Sequence, residues 1–233
     1  MKQNTPLAKP SGPHNHTVDN VIFGCEEDTL EVFLVQHGEG KSRGEWGLPG
    51  DWMREEESLE QAATRTLKER TGITDVYLEQ LHTFSDVDRY PFERVLTTAF
   101  FALIRPDAVK TIVGETELDA AWFDINKLPP LIFDHKSIVE KGIEHLKHKV
   151  RHEPIGFNLL PKKFTLLQLQ CLYEAVLGIK VDKPNFRRKM KKMQLLVSLG
   201  EKQTGVAHRA ANLYRFDEQV YRKLKTKGFV FEL

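Results

Sequence analysis

A short cationic stretch of the chain carries residue types that read nucleic acid. Between Asn185 and Lys192 the sequence holds one asparagine and five Lys or Arg residues. Arginine reads guanine with two hydrogen bonds and asparagine reads adenine, whereas lysine more often binds phosphate. Three- and four-residue spacing on a helix would place four side chains on one face, namely Asn185, Arg188, Lys189 and Lys192. The residues predicted to contact DNA are Asn185, Arg187, Arg188, Lys189, Lys191 and Lys192, with His208 and Arg209 from a later loop.

A second group of side chains, in the N-terminal half, could bind a small molecule. Trp46 could stack on a ring. Arg89 and Arg94 flank Tyr90-Pro91 and could bind phosphate or donate hydrogen bonds to sugar hydroxyls. For each of these residues, and for each cation of the 185–192 stretch, a solvent-facing role is the alternative.

Net charge divides the chain in two at Pro161. The whole chain carries +1, but the 73 residues 161–233 carry +10 and the remainder carries −9. A segment with that charge favours binding to a polyanion, because neutralised phosphates release condensed counterions. A solvated basic face, or a surface for an acidic protein partner, is the alternative.

The amino-acid composition indicates the class of protein and the cellular compartment. The 40% hydrophobic content is typical of a soluble globular protein, and 233 residues favour two domains. No apolar run approaches the ~18 residues of a membrane span and no signal peptide is evident, so we expect a cytoplasmic protein with no membrane partner. Cys25 and Cys171 have no second ligand at metal-binding spacing and are predicted to be buried hydrophobes. We expect no metal site and no cofactor.

The first half of the chain has the pattern of a strand-rich α+β domain. Residues 1–16 contain three prolines and are predicted to form a flexible tail. Helical spacing of apolar residues predicts helices at 58–71, with Gly72 as the C-cap, and at 134–149. Apolar and β-branched stretches predict strands at 18–25, 31–36, 76–84, 95–104 and 120–123.

The second half changes to a helix-first pattern. Thr165 is a suitable N-cap and Gly178 a suitable C-cap for an apolar helix between them. Asp182 can cap a second helix after a turn of about four residues, which is the spacing of a helix-turn-helix. Two short strands around an exposed loop, the shape of a wing, are predicted at 195–199 and 213–216.

The segment from Gly50 to Ile73 resembles the Nudix box. That pattern is a glycine, five residues, a glutamate, seven residues and then R-E-U-x-E-E-x-G-U, where U is aliphatic. The matching positions are Arg65, Leu67, Glu69, Gly72 and Ile73, preceded by the W-x-L-P-G of residues 46–50. In the Nudix family, carboxylates on one face of the box helix bind Mg²⁺, which polarises a diphosphate. The resemblance implies an α/β/α sandwich with a mixed sheet.

Two positions depart from the box at its metal site. Thr66 and Arg70 stand where metal-binding glutamates belong, so two carboxylates are lost and a cation is gained. One extra residue also lies between Gly50 and Glu57, although Glu56 fits if the insertion falls later. We therefore expect no catalytic residue and no enzyme. A Mg-dependent Nudix hydrolase of a nucleoside diphosphate derivative, with an accessory nucleic-acid-binding domain, is the alternative.

The two halves together resemble the Nudix-related transcriptional regulators. Phe164-Thr165-Leu166 and Asn185-Phe186-Arg187-Arg188-Lys189 look like stretches of that family. The resemblance implies a homodimer that binds double-stranded operator DNA and responds to ADP-ribose or to a sugar such as a pentose. Related enzymes that act on ADP-ribose often have R-D-P where this chain has Arg89-Tyr90-Pro91, which leaves a sugar open.

Composition and resemblance together predict the domain layout and the function. An effector-sensing Nudix-like domain is expected at 17–150, a linker at 151–160 and a smaller winged helix-turn-helix domain at 161–233. The predicted protein is a regulator of NAD or carbohydrate metabolism, in which a degenerate Nudix domain controls the winged helix. The residues predicted to bind the effector are Trp46, Gly50, Glu69, Arg89 and Arg94.

Overall fold

The structure, a computed structural model, describes residues 15–26, 28–109, 111–205 and 210–231. His208, Arg209 and most of the predicted tail lie outside these residues. The chain up to Gly24 and Glu31–Gly142 make the N-terminal unit, whereas Cys25–Leu30 and the chain from Ile143 onward make the C-terminal unit. The domain boundaries at residues 150 and 161 stay a prediction.

A mixed sheet of seven strands is the frame of the N-terminal half. The strands run in the order β3-β2-β1-β6-β5, with β4 paired to β1 and β7 paired to β2. β1 and β6 are parallel, whereas β3, β4, β5 and β7 join their neighbours antiparallel. The strands are β1 (His16–Glu26), β2 (Thr29–His37), β3 (Trp46–Gly47), β4 (Gly50–Trp52), β5 (Glu79–Phe84), β6 (Leu96–Leu103) and β7 (Glu117–Asp124).

Helices α1 (Leu59–Thr71) and α2 (His135–His152) cover the two faces of this sheet. Successive residues of a strand point to opposite faces. Asn20 of β1 accordingly donates from Nδ2 to the carbonyl of Ala63 in α1, at 3.1 Å. Phe23 of β1 lies against Gly142 of α2, where an added Cβ would come 3.0 Å from the phenyl ring. The predicted α/β/α sandwich with a mixed sheet is therefore confirmed.

Local signals set both ends of α1. Ser58 accepts a hydrogen bond from the backbone N–H of Gln61, and the Gln61 side chain accepts one from the Ser58 N–H. This capping box satisfies two of the unpaired donors at the helix start. Gly72 ends the helix in the left-handed conformation, with φ of 71°, which glycine adopts without the Cβ penalty. The apolar residues that α1 buries are Ala62, Ala63 and Leu67.

The C-terminal unit holds a helix-turn-helix and a wing, as predicted. Thr165 caps α3 with a capping box, Gly178 ends it, and Asp182 caps α4. Two further elements were not predicted from the sequence, namely α5 and the two-residue strand β8, which completes a sheet in the order β8-β10-β9. The elements are β8 (Phe164–Thr165), α3 (Leu166–Leu177), α4 (Lys183–Lys192), β9 (Leu196–Lys202), β10 (Asn212–Phe216) and α5 (Glu218–Lys225).

Aromatic packing fixes the two helices of this motif. The rings of Tyr173 in α3 and Phe186 in α4 have centroids 5.7 Å apart, and both residues are buried. Residues 154–159, inside the stretch predicted as a linker, form a 3₁₀ helix whose Phe157 stacks on Phe216 at 4.3 Å. Among the described helices none is long and apolar enough to cross a membrane.

Candidate effector cavity and DNA-binding helix

A cavity of about 540 Å³ opens in the N-terminal unit. Its volume lies within the range typical of small-molecule sites. Backbone from β1, β4, the segment after β2 and the start of α2 meets around it. Rings and charges of both signs face it, among them Trp52, Tyr90, Phe133, Lys41, Arg70, Arg89, Asp19 and Asp51. This mixture suits a ligand that combines a ring, hydroxyl groups and negative charge.

The structure brings some of the predicted effector residues to the cavity. Its described lining includes Gly50 and Arg89, and leaves out Trp46, Glu69 and Arg94. Trp46 instead packs edge-on against Phe123, with ring centroids 4.7 Å apart. Gly50 is required by close approach, because a Cβ there would lie 2.1 Å from Asp19 Oδ1. These five assignments remain predictions of function, now with known positions.

Arg89 forms part of the cavity wall through a buried ion pair. Its Nε and Nη2 donate to the two carboxylate oxygens of Asp134 at 2.9 and 2.7 Å. The Arg89 side chain is only 4% exposed, and its Nη2 also lies 3.9 Å from Asp19 Oδ2. A two-pronged pair of this kind fixes both charge and orientation. Arg89 therefore holds the segment after β5 against the start of α2.

Arg65, the box arginine, organises the acidic residues of the Nudix-like segment. It donates to Glu57 from Nε and Nη2 at 2.9 and 2.6 Å, to Asp51 at 3.2 Å and to Glu69 at 3.0 Å. A further bond from Nη2 reaches the carbonyl of Trp52 at 2.9 Å. The hydrogen bond from Arg65 holds the pKa of Glu57 below its usual value. The guanidinium thus links the loop before α1 to the helix itself.

The donor set around Arg70 does not fit a divalent metal. Mg²⁺ takes oxygen ligands and is repelled by a fixed cation. Arg70 donates from Nη1 to Thr116 and to Glu117, and its Nη2 lies 3.5 Å from Asp51 Oδ1. Thr66, the other substituted position, is fully buried. Within residues 15–26, 28–109, 111–205 and 210–231, no group of three or more His, Cys, Asp or Glu is placed to hold a metal ion.

Two histidines of the cavity lining, the half-buried His37 and the buried His135, are kept neutral at physiological pH. Burial is the main cause that lowers the pKa of His37 to about 4, and repulsion by Arg70, and by His135 once that ring is protonated, contributes to the shift. Burial also lowers the pKa of His135, whose Nδ1 accepts a hydrogen bond from the Leu48 N–H at 2.9 Å. Positive charge at the cavity at neutral pH therefore comes from lysine and arginine.

We expect His37 to make the protein lose stability in mild acid. A histidine in water has a pKa of 6.5, whereas the pKa of His37 in the fold is about 4, so between these values the unfolded chain binds more protons. The free energy of unfolding then falls as pH falls, by about 3 kcal/mol across the whole window. In the variant His37→Gln, the free energy of unfolding in urea should fall less between pH 6.5 and pH 4 than it does in the parent protein. If the difference in free energy of unfolding between the two proteins were the same at pH 7 and at pH 4.5, this role of His37 would be ruled out.

The exposed face of α4 carries the predicted DNA-reading residues. Phe186 and Met190 are buried, so the opposite side of the helix faces solvent. Arg187 is half-buried and its Nε is shielded from solvent, which leaves it less accessible than the others. Arg188 donates from Nη2 to Asn185 Oδ1 at 2.7 Å, so these two side chains are already aligned. The predicted DNA-contacting residues of α4 that are exposed are Asn185, Arg188, Lys189, Lys191 and Lys192.

Known families match both halves of the chain. The NUDIX domain matches residues 13–144, and the NrtR DNA-binding winged helix domain matches residues 156–216. The ADPR responsive transcriptional repressor NtrR of Acinetobacter baylyi is 31% identical over 209 residues, which cover 88% of this chain and 83% of that protein. This chain belongs to the NrtR family of Nudix-related transcriptional regulators. As an NrtR-family protein, it is a transcriptional regulator with a DNA-binding winged helix and a Nudix effector domain.

Solved structures and an enzyme extend the NrtR relationship. The crystal structure of Shewanella oneidensis NrtR complexed with a 27mer DNA has a TM-score of 0.77 at 32% identity, covering 94% of this chain and 98% of that chain. The NUDIX domain of the same protein complexed with ADP ribose has a TM-score of 0.54 at 32% identity, covering 58% and 90%. The ADP-ribose pyrophosphatase of Methanocaldococcus jannaschii is 31% identical over 119 residues, covering 51% and 69%. Relatives of this NrtR-family chain therefore include both a regulator and a hydrolase.

Several cavity residues of this NrtR-family protein were not predicted from its sequence. Asp51 and Trp52 directly follow the W-x-L-P-G of the box, and their position was the available signal. Arg70 was noted as a lost metal ligand, but its place in the lining depends on contacts with residues 116 and 117. The lining also includes His135, the first residue of α2, to which no role was assigned from the sequence.

Proposed function

We propose that this protein represses transcription by binding operator DNA as a homodimer, with ADP-ribose in the cavity of its Nudix domain as the effector. The named ligand of two relatives, one regulator and one enzyme, is ADP-ribose. The single observation that supports it best is the cavity of about 540 Å³, whose wall combines Trp52, Tyr90 and Phe133 with Arg70 and Arg89. A free pentose has neither an aromatic ring to stack on these side chains nor a charge for the guanidinium groups.

We also propose that the Nudix domain does not hydrolyse its effector. Arg65 and Arg54 pair with the Glu69 carboxylate at 3.0 and 3.4 Å, and Arg70 occupies a metal-ligand position. A metal that activates water needs carboxylates that are free to bind it. The relationship to an ADP-ribose pyrophosphatase favours hydrolysis as the second candidate.

The DNA surface proposed here is the exposed face of α4. Asn185, Arg188, Lys189 and Lys192 would enter the major groove, with Lys191 and Arg187 at the flanks. His208 and Arg209 would reach the DNA from the wing. The proposed domain boundaries are those predicted from the sequence: a tail at 1–16, the effector domain at 17–150, a linker at 151–160 and the winged helix at 161–233. A regulator of this kind acts in the cytoplasm, where its operator lies.

Product analysis tests the effector and separates the two candidates. The full chain is incubated with ADP-ribose and Mg²⁺, and the nucleotides are then separated by anion-exchange chromatography, with the M. jannaschii pyrophosphatase as positive control. We expect ADP-ribose to remain intact while isothermal titration calorimetry shows that it binds. Release of AMP that disappears in Glu69→Gln would establish the hydrolase instead.

A further inference from the structure

Arg70 is held in the cavity wall by contacts from two directions. Its Nη1 donates to Thr116 Oγ1 and to the fully buried carboxylate of Glu117. The backbone before Thr116 locks the end of α1, because the Gly114 N–H donates to the Arg70 carbonyl at 3.2 Å. A Cβ on Gly114 would lie 3.0 Å from Arg70 Cα, so this approach requires glycine. The guanidinium is therefore fixed before any ligand arrives.

Part of this guanidinium remains available to a ligand. A guanidinium has five N–H donors. Among the described residues, the hydrogen bonds of Arg70 all come from Nη1, and its side chain keeps 11% exposure. Asp51 lies 3.5 Å from Nη2, but the other oxygen of that carboxylate accepts from Arg65 at 3.2 Å. Asp51 is thus shared between two cations, and the carboxylate that pairs closely with Arg70, that of Glu117, contacts Nη1 and leaves Nη2 to a ligand.

The position of this cation matters as much as its charge. In the box pattern a metal-binding glutamate stands at the position of residue 70. This chain therefore has a cationic side chain where the family has a carboxylate that binds a metal cation. His37 is neutral beside it at physiological pH, since burial lowers its pKa to about 4. Guanidinium groups bind phosphate oxygens with two parallel hydrogen bonds, which gives orientation without a metal.

We propose that Arg70 is the fixed cation that binds the effector's diphosphate, so that effector binding needs no divalent metal. This inference rests on the proposed function, because it takes ADP-ribose as the ligand. It assigns a specific role to the substitution that removes the metal site. Arg70 offers fixed N–H donors where the box has a metal ligand, and it cannot activate a water molecule as a metal ion does.

Calorimetry of the full chain tests the metal independence directly. ADP-ribose is titrated into the protein once in EDTA and once in Mg²⁺. We expect the same affinity within about twofold, since both conditions present the same guanidinium. An affinity at least tenfold weaker in EDTA would overturn the inference and leave ADP-ribose as the effector. Absence of ADP-ribose binding in both conditions would instead overturn the proposed function, and the inference with it.

Variants at residue 70 test the assignment to this side chain. Arg70→Gln alone would leave Glu117 buried without its partner, so the variant to use is Arg70→Gln with Glu117→Gln. We expect it to bind ADP-ribose at least about tenfold more weakly and to bind adenosine, which lacks phosphate, as the parent does. Arg54→Gln, which removes an exposed cation outside the described lining, is the matched control and should bind normally.

A folding defect is separated from a binding defect by two further measurements. Thermal unfolding and DNA binding show whether the double variant keeps its fold. Arg70→Lys keeps the charge and the partner of Glu117, and we expect it to lose less affinity than the double variant while remaining insensitive to EDTA. Parental ADP-ribose affinity in the double variant would overturn the proposal.

Discussion

Replacing Arg188 and Lys192 together with alanine is expected to weaken operator binding about a hundredfold in 0.1 M salt. A bidentate arginine contact to a base contributes about 1–3 kcal/mol of discrimination, and a phosphate contact by lysine adds a salt-dependent term. Both side chains lie on the exposed face of α4, so their removal leaves the buried Phe186 and Met190 in place. Fluorescence anisotropy with a duplex selected by the protein from a random pool measures the change.

The matched control removes the same charge from the N-terminal unit. Lys127 and Lys136 are 83% and 75% exposed, and each pairs with a neighbouring carboxylate at the surface. Lys127→Ala with Lys136→Ala should leave DNA affinity nearly unchanged. Single Lys192→Ala should lower the slope of log affinity against log salt by about one. Equal losses in the two double variants would mean that net charge, and not α4, governs binding.

Replacing Arg65 with methionine is expected to destabilise the protein by about 2 to 3 kcal/mol, because the ion pair with Glu57 is mostly shielded from solvent and the loss of one partner from a fully buried pair costs about 3 kcal/mol or more. The Arg65 side chain is 13% exposed and that of Glu57 is 12% exposed, so the abandoned carboxylate cannot recover full hydration. Asp51 and Glu69 lose the same partner. Urea unfolding monitored by tryptophan fluorescence gives the free energy of unfolding for both proteins.

Two companion variants identify the cause of the Arg65 effect. Arg54→Met removes a cation that is 59% exposed, and we expect a loss of under about 0.5 kcal/mol. Arg65→Met combined with Glu57→Gln should recover part of the stability, because the unpaired and partly buried carboxylate is then gone. A loss from Arg65→Met no larger than that from Arg54→Met would contradict the central place of this arginine.

Helix boundaries were predictable because their signals are local. Ser58 and Gly72 delimit α1, Thr165 and Gly178 delimit α3, and Asp182 caps α4. A cap is a hydrogen bond or a backbone conformation within a few residues, so the sequence alone contains it. The strands β3, β4 and β8 span only two or three residues, and long-range pairing makes them strands. No periodicity can reveal an element that short.

The cavity lining was only partly predictable, for the same reason. Trp46 and Trp52 are both close to the glycines of the box, and the sequence offers no means to choose between them. Pairing of β4 with β1 brings Trp52 to the cavity, whereas Trp46 packs on Phe123 of β7. Arg70 likewise reaches the lining because a segment more than 40 residues away folds over the end of α1. Tertiary contacts therefore determine which of these side chains line the cavity.

The most direct test is to titrate protein into the selected fluorescent duplex with and without saturating ADP-ribose. A ligand that regulates DNA binding must shift the midpoint, and couplings of this type usually change affinity about 5- to 150-fold. We predict a shift of at least about fivefold, with the ADP-ribose recovered intact afterwards. An unchanged midpoint at an ADP-ribose concentration that calorimetry shows to be saturating would contradict the account.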